Sequence, residues 1–469
     1  MAIKQMTDIQ QGLTETLQTV KRIAMPILFS HVEAITNKSP LDIYRLSESL
    51  YKGERFYWKD PNNELFIAGA GTACKLQSFV NKENRFRDIK DKWAEIMESA
   101  IVNGIRAEKG TGPLCFGGFS FSSNSAEANT TWNKFGSYLF YIPKFLITET
   151  EYGTFLTSSL YLKPKSSERE IFQFIEDRDV FLSMTTSEQK EMPNIINRNE
   201  HLVEEWKQAI VRSVEDIKEG QMEKIVLARE LSLQFEDEVP SQTVLENLMI
   251  QQSGSFIFGL ESGNDCFIGA SPERLVKKEG SIVFSACLAG STPRSEDEET
   301  DRALGNDLLN DEKNRSEHQF VVNMIRQAME EHCIEINIPD EPVLMKLKNI
   351  QHLYTPVNCV SMPGTSVLDF VEMLHPTPAL GGSPRNIAMD KIEQYEGMDR
   401  GFYAAPIGWM DIYGNGDFSV GIRSGLLQKD RAVLYAGCGI VEKSDPESEY
   451  METQVKFKPM LSALEGRNR

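Results

Sequence analysis

Acidic side chains lie in line with the apolar faces of two predicted helices. Residues 3, 4, 7 and 8 positions after Glu317 are apolar, so helical geometry places this carboxylate at the end of a stripe that faces the core. A second helix is predicted to begin at Asp445, and it carries Glu449 and Glu452 on the same face as Lys456. Ion pairing, or the preference for acids near a helix N-terminus, explains each helix alone. Together the carboxylates also suit an oxygen-ligated Mg²⁺, which needs a few protein carboxylates and an anionic ligand.

Two basic side chains fall in predicted strands. Strand alternation places Arg423 on one face with Gly421 and Gly425, where a ligand can approach the backbone and the guanidinium can bind a carboxylate through two nitrogens. A surface arginine beside a bulge explains the same pattern. Lys224 shares a strand face with Val226, either as an edge residue that reaches water or as a partly desolvated amine. To act as a base, its pKa must fall from ~10.4 to near neutrality, which costs roughly 4 kcal/mol.

The elements that carry these residues are strands with inserted helices. Residues from about 27 to 165 are predicted to be mainly strands, with a helix over 85–102. The polar stretch 166–194 is predicted to be a boundary or surface excursion. A helix is predicted from about Asn197, and residues 417–428 are predicted to form one strand. Antiparallel strands in succession favour an α+β fold over a doubly wound sheet.

Composition excludes several classes of protein. A formal net charge of −19 over 469 residues argues against a nucleic-acid or anionic-membrane partner. Seven scattered cysteines without a C-x-x-C motif argue against disulfide frameworks and zinc ribbons. The N-terminus lacks the apolar run of a signal peptide, and no stretch approaches 18 apolar residues. We therefore expect a soluble, cytoplasmic protein. No glycine-rich nucleotide-binding motif follows a predicted strand.

Seven sequence blocks point to one family. They are FIGASPERL (267–275), ACLAGSTPR (286–294), DEKNRSEH (311–318), HPTPALGGSPR (375–385), DRGFYAAPIGW (399–409), GIRSG (421–425) and AGCGIVEKSDPESEYMET (436–453). In this order they resemble the signature of the chorismate-utilising enzymes, which include anthranilate, aminodeoxychorismate, isochorismate and salicylate synthases. The resemblance is strong over 200–465 and general over the first 190 residues.

The resemblance implies a fold and a domain organisation. The expected fold is α+β, with two packed antiparallel sheets and helices outside. Residues 1–195 would form the N-terminal, strand-rich part and residues 196–469 the chorismate-binding catalytic region of one large structural domain.

The resemblance also implies a role for each matching residue. The expected catalytic residues are Lys224 and Glu273. The expected metal ligands, for Mg²⁺, are Glu317, Glu449 and Glu452. The residues expected to bind or line the substrate are Gly290, Ser291, His352, Ala379, Leu380, Tyr403, Arg423 and Gly439.

Two positions choose a branch of the family. Lys224 matches the lysine of members that use water as the nucleophile, and Ala379 is similar to the isochorismate-forming branch, because the anthranilate type has threonine there. Asn314 departs from the glutamate of anthranilate-type members. The resemblance therefore implies conversion of chorismate to isochorismate by a monomer that needs no amidotransferase subunit.

Other functions are compatible with parts of the sequence. A salicylate synthase would share most of the residues named and then eliminate pyruvate from isochorismate. An aminating synthase would depend on glutamine or ammonia. A non-catalytic binding protein on the same fold, and a structural metal-binding protein, are two further alternatives. Menaquinone, siderophore and salicylate pathways all remain open as destinations of the product, although the long N-terminal region is more typical of menaquinone-pathway members.

Overall fold

The computed structural model describes residues 7–36, 38–80, 84–105, 108–122, 131–185, 190–346 and 350–466. Its helices are α1 (Asp8–Ile23), α2 (Pro40–Leu46), α3 (Glu48–Tyr51), α4 (Arg85–Glu98), α5 (Glu168–Ser183), α6 (Val203–Lys218), α7 (Ser241–Gln251), α8 (Glu298–Asn310), α9 (Glu312–Glu330), α10 (Val367–Leu374), α11 (Arg385–Tyr395) and α12 (Pro446–Glu465). Within these ranges, no helix is both long and apolar enough to cross a membrane.

The strands follow in chain order. They are β1 (Ile27–Ile35), β2 (Arg55–Lys59), β3 (Leu65–Ser78), β4 (Ile101–Gly104), β5 (Leu114–Phe119), β6 (Tyr138–Thr150), β7 (Gly153–Leu162), β8 (Ile195–Glu200), β9 (Lys224–Phe235), β10 (Phe256–Ser262), β11 (Asp265–Ser271), β12 (Arg274–Glu279), β13 (Ile282–Pro293), β14 (Cys333–Asn337), β15 (Val343–Lys346), β16 (Ile350–Ser361), β17 (Gly382–Ser383), β18 (Pro406–Asp411), β19 (Gly416–Val420), β20 (Ser424–Gln428) and β21 (Arg431–Ile440).

Strand β6 joins two arms of β-structure. Along one of its edges it pairs with β3, and along the other with β5 and β7. The first arm runs from β3 through β2, β10, β11, β20 and β21 to β9. The second arm runs from β5 through β18, β19, β12 and β13 to β16. These pairings are all antiparallel, which confirms the predicted α+β fold built on antiparallel sheets.

Two of the connections between the arms lie side by side. Strand β11 belongs to the first arm and β12 to the second, and Glu273 lies in the connection. Strand β19 belongs to the second arm and β20 to the first, with Arg423 in the connection. The Val420 amide donates to the Glu273 carbonyl at 3.1 Å, and the Ala270 amide donates to the Arg423 carbonyl at 3.0 Å. These bonds hold the two crossings together.

The prediction of one strand over 417–428 was therefore wrong. The segment is two strands in different arms, separated at Gly421–Arg423. Arg423 has a φ of 51°, outside the extended region. Because buried apolar residues recur on both sides of the break, the alternation pattern continues across it and hides the change of arm.

Side chains of both arms contribute to a common apolar core. Phe258 and Phe267 come from the first arm, Leu275 and Phe418 from the second, and all four are buried. Helix α12 lies over β21 and α7 and buries one face of its C-terminal half, which includes Phe457. Helix α9 lies over β13 and β16. The two acid-bearing helices thus lie on different arms.

Two further predictions from pattern were wrong. The stretch 166–194 contains α5, which buries Ile171, Phe174 and Phe181 in an apolar cluster with α1. Most of its other positions are charged or polar, which made the segment resemble a linker. The helix predicted from Asn197 begins at Val203 instead, because 195–200 forms an edge strand paired with β9.

Candidate active site

Lys224 is the first residue of β9, and its side chain lies across β21. A methyl group added at Gly439 would lie 2.8 Å from the Lys224 Cε and 3.3 Å from its Nζ. The absence of a side chain at Gly439 is therefore what allows the amine to lie there. Lys224 also pairs with Ser383 of β17 on its other side. The lysine points along the strand face predicted from its spacing.

The surroundings of Lys224 favour the neutral amine. Burial lowers the pKa of Lys224, and the nearby positive charge of Lys456 lowers it further. The negative charges of Glu317 and Glu452 act in the opposite direction but do not reverse the shift. A lysine with a lowered pKa can accept a proton from a substrate or from water.

Glu273 is shifted in the opposite sense. Burial raises the pKa of its carboxyl to about 7, against the opposing charges of Arg423, Lys456 and Lys224. At neutral pH a substantial fraction of Glu273 is protonated and can donate a proton. A neutral amine and a protonated carboxyl within electrostatic range of each other form a possible base and acid pair.

Arg423 and Tyr403 form a third part of this cleft. The Tyr403 ring stacks on Tyr435 with 5.3 Å between the ring centroids, and burial raises the Tyr403 pKa to about 12. The charge of Arg423 acts on both Tyr403 and Glu273. Burial lowers the pKa of Arg423, but an arginine still stays charged at neutral pH.

None of the three ionisable groups has a protein partner among the residues that the structure describes. No described side chain or backbone group makes a hydrogen bond or ion pair with the Lys224 Nζ, the Glu273 carboxyl or the Arg423 guanidinium. Unpaired charged groups in a partly buried cleft are costly and mark candidate functional sites.

Gly290 and Ser291 reach the cleft through an irregularity in β13. The pairing of β13 with β16 shifts register between Leu288 and Ser291, and Ser291 lies opposite His352. Gly290 has a φ of 79°, and an added Cβ would lie 3.1 Å from the Asn314 Oδ1. The bulge therefore requires glycine at this position.

His352 is a neutral imidazole in this cleft. Burial lowers its pKa to about 4, and the charges of Arg423 and Lys456 contribute to the shift, while a hydrogen bond with the Gly290 backbone opposes it. The ring is therefore available as a hydrogen-bonding group and not as a charge at neutral pH.

The three predicted metal ligands come from two helices. Glu317 is half-buried on α9, and Glu449 and Glu452 lie near the start of α12. Burial raises the pKa of Glu449, and the charge of Glu452 adds to this. The Glu452 side chain is 49% exposed and its Oε1 lies 2.6 Å from the Lys456 Nζ, so the ion pair considered from the sequence is present.

Two of the three carboxylates lie within electrostatic range of one amine. The negative charges of Glu317 and Glu452 both oppose the lowering of the Lys224 pKa, so α9 and α12 each bring an acid near Lys224. Within the described ranges, no group of three histidine, cysteine or acidic side chains could hold a metal ion by itself. Carboxylate oxygens are nevertheless the donors that Mg²⁺ prefers, and Mg²⁺ needs few of them when an anionic ligand completes its coordination.

Ala379 and Leu380 lie in the loop between α10 and β17. Ala379 is half-buried and Leu380 is buried. The Leu380 carbonyl accepts a hydrogen bond from Arg400 at 3.0 Å.

Sequence reasoning missed two contributors to the cleft. Lys456 was considered only as an ion-pair partner, yet its charge lowers the pKa of Lys224, Glu273 and His352. The buried pair of Glu396 and Arg400 was not singled out, because α11 ends at Tyr395 and helical spacing does not predict a pair beyond it.

Comparison with known proteins identifies the family. A family model described as chorismate binding enzyme matches residues 15–465. The chain belongs to this family. It is 41% identical over 464 residues to the isochorismate synthase MenF of Bacillus subtilis (strain 168), covering 98% of each chain. It is 36% identical over 412 residues to the salicylate biosynthesis isochorismate synthase of Pseudomonas aeruginosa, covering 87% of this chain and 84% of the relative.

A solved structure has the same fold as this chain. The menaquinone-specific isochorismate synthase MenF from Escherichia coli superposes with a TM-score of 0.77 at 22% identity, covering 97% of this chain and 100% of that chain. The prediction of a chorismate-binding fold is thereby confirmed.

Proposed function

We propose that this protein is an isochorismate synthase, which converts chorismate to isochorismate. The observation that carries the proposal is the cleft in which Lys224, Glu273 and Arg423 lie without side-chain partners among the described residues. There the pKa of the lysine is lowered and that of the glutamate is raised to about 7. The 41% identity to a protein named isochorismate synthase over nearly the whole chain supports the same reaction.

Chorismate carries two carboxylates, and the cleft offers a binding group for each. Arg423 and Tyr403, with the Gly439 backbone, would bind the enolpyruvyl carboxylate, since a guanidinium can bind a carboxylate through two nitrogens. Gly290 and Ser291 would donate hydrogen bonds to the substrate at the bulge in β13. The neutral ring of His352, with Ala379 and Leu380, would line the pocket around the substrate ring.

The two shifted groups then divide the proton transfers. Lys224 takes a proton from water, whose oxygen forms a bond to C2 of the ring as the double bonds shift. The C4–oxygen bond breaks, and Glu273 gives its proton to the departing hydroxyl, which leaves as water. One water enters and one leaves, so the reaction is an isomerisation. Afterwards the lysine returns its proton to solvent and the glutamate regains one.

Glu317 and Glu452 would hold Mg²⁺ at the ring carboxylate, with Glu449 assisting. The ion, when bound, supplies positive charge that orients and neutralises this carboxylate. Holding the ring between the metal side and Arg423 lets Lys224 and Glu273 act on fixed carbon atoms.

We also propose that the protein works as a cytoplasmic monomer without an amidotransferase subunit. A reaction that uses water needs no source of ammonia, and Lys224 occupies the place at which the nucleophile would be activated.

Product identification tests the proposal. Purified protein is incubated with chorismate and Mg²⁺, and the products are separated by chromatography. We expect isochorismate to accumulate at equal rates with and without ammonium salts. Stoichiometric salicylate and pyruvate would assign the protein to the salicylate synthases, and dependence on ammonia would assign it to the aminating branch.

A further inference from the structure

Within the described ranges, one edge of β9 lacks a continuous strand partner. Near Lys224 this edge pairs with β17, and from Leu231 onward it pairs with β8. Between these two short strands, the Val226 carbonyl and the Ala228 amide point toward the same edge. Both residues are buried, and buried backbone groups need hydrogen-bond partners.

A buried ion pair fills the gap. The Arg400 Nη2 donates to the Val226 carbonyl at 2.7 Å, and the Ala228 amide donates to the Glu396 Oε1 at 2.6 Å. The Arg400 Nε also donates to the Glu396 Oε2 at 2.8 Å. The two side chains, which are 3% and 2% exposed, thus satisfy the strand edge in the way that a neighbouring strand would.

The same arginine connects β9 to two other walls of the cleft. Its Nη1 donates to the Leu380 carbonyl at 3.0 Å, and its own carbonyl accepts from the Tyr403 amide at 2.9 Å. The Val226 amide donates to the Gly381 carbonyl at 2.9 Å, next to this contact. One guanidinium therefore sets the spacing between the strand that begins at Lys224 and the loop that carries Leu380.

We propose that Glu396 and Arg400 are positioning residues for Lys224: the pair replaces a missing strand beside β9 and fixes the amine relative to the Leu380 loop. The proposal rests on the proposed function for its effect on turnover, but the placement of the amine can be measured without turnover. Neither side chain is placed at the substrate, so the pair acts through the backbone of β9.

Arg400→Lys is the informative variant because it keeps the positive charge. A lysine cannot bond Glu396, the Val226 carbonyl and the Leu380 carbonyl at once, since it lacks the planar fork of arginine. The backbone at the start of β9 should be held less firmly, and the side chain of Lys224 should become more exposed to solvent. Because burial is the largest cause of the lowered pKa of Lys224, this pKa should rise toward its ordinary value.

The protein offers a matched control in a second buried pair. Arg55 bonds Glu261 through its Nε at 2.9 Å and its Nη2 at 2.6 Å, with exposures of 1% and 5%. This pair joins β2 and β10, and none of the hydrogen bonds that it makes with other described residues reaches the cleft. Arg55→Lys damages a buried bidentate pair without touching β9, so it separates loss of stability from loss of positioning.

The experiment compares wild type, Arg400→Lys, Glu396→Gln and Arg55→Lys in three measurements. Tm reports stability. The pH dependence of Lys224 acetylation, followed by peptide mass spectrometry, reports the pKa of the amine. Steady-state kinetics with chorismate report kcat and KM.

We expect Arg400→Lys and Glu396→Gln, the two cleft variants, each to raise the apparent pKa of Lys224 by about half a pH unit or more. We expect kcat to fall about 10-fold or more, with a smaller change in KM. Arg55→Lys should lower Tm and leave the Lys224 pKa and kcat unchanged. Glu396→Gln keeps an acceptor for the Ala228 amide and serves if Arg400→Lys does not fold.

Two results would overturn the positioning role: an unchanged Lys224 pKa in both folded cleft variants, or the same change in Arg55→Lys. A wild-type protein that does not convert chorismate would refute the proposed function instead, and the acetylation profiles would still decide the positioning role.

Discussion

Gly439→Ala tests whether the placement of one amine controls the rate. The added Cβ would lie 2.8 Å from the Lys224 Cε, whereas carbon atoms in contact rest about 3.5–4.0 Å apart. The lysine end must therefore move by about 1 Å. Gly439 is not among the glycines with a positive φ, so alanine is compatible with the backbone. A misplacement of about 1 Å costs on the order of 100-fold in rate, and we expect kcat to fall by about this factor.

The assay is isochorismate formation by wild type, Gly439→Ala, Gly437→Ala and the same glycine change in a Lys224→Ala background. Gly437→Ala is the control on the same strand, since its Cβ would meet the Leu227 carbonyl at 3.1 Å and not the amine. If the methyl group acts by moving Lys224, it should have no further effect once Lys224 is removed. Unchanged kcat in Gly439→Ala would refute the reasoning, as would an equal loss in both backgrounds, which would mean that the methyl group blocks the substrate.

Three other predictions concern charge, proton donation and metal. The charge of Lys456 lowers the pKa of both Lys224 and Glu273, so Lys456→Met should raise both pKa values. The whole pH profile of kcat/KM should then move to higher pH by about half a pH unit or more, whereas Lys456→Arg should leave it in place. A shift to lower pH would contradict this assignment. Glu273→Gln should lower kcat by on the order of 10²–10⁴ while calorimetry still shows chorismate binding, and a fully active variant would remove Glu273 from the mechanism. Activity should be lost with EDTA and restored by Mg²⁺. Glu317→Gln should raise the Mg²⁺ concentration that is needed for half-maximal rate. Turnover that persists in EDTA would exclude a required metal.

Local pattern predicted the elements that behave as regular units. The paired strands β2 and β3 lie in the region predicted to be mainly strands, and α12 begins where the N-cap Asp445 predicts. The start of β9 at Lys224 also agrees with the predicted strand. In each case residues close in the sequence decide the conformation.

Sequence pattern could not predict where the chain changes arms. The break at Gly421–Arg423 depends on the second partner of each strand, β12 for β19 and β11 for β20, and both of these partners are distant in sequence. The pKa of about 7 at Glu273 likewise depends on burial by both arms. The positioning pair was hidden for the same reason, because the unpaired edge of β9 exists only once β8 and β17 have taken their places.

The two crossings have a consequence for how this scaffold could acquire new chemistry. Glu273 and Arg423 lie in connections between strands. The alternation of side chains between the two faces of a sheet therefore does not fix their orientation, as it does for residues within the neighbouring strands. Replacing Glu273 or Arg423 should change which groups the cleft can protonate or bind without changing the packing of the apolar core. To obtain a different reaction on a related ring, the residues of these two connections should therefore be varied first and the paired strands left unchanged.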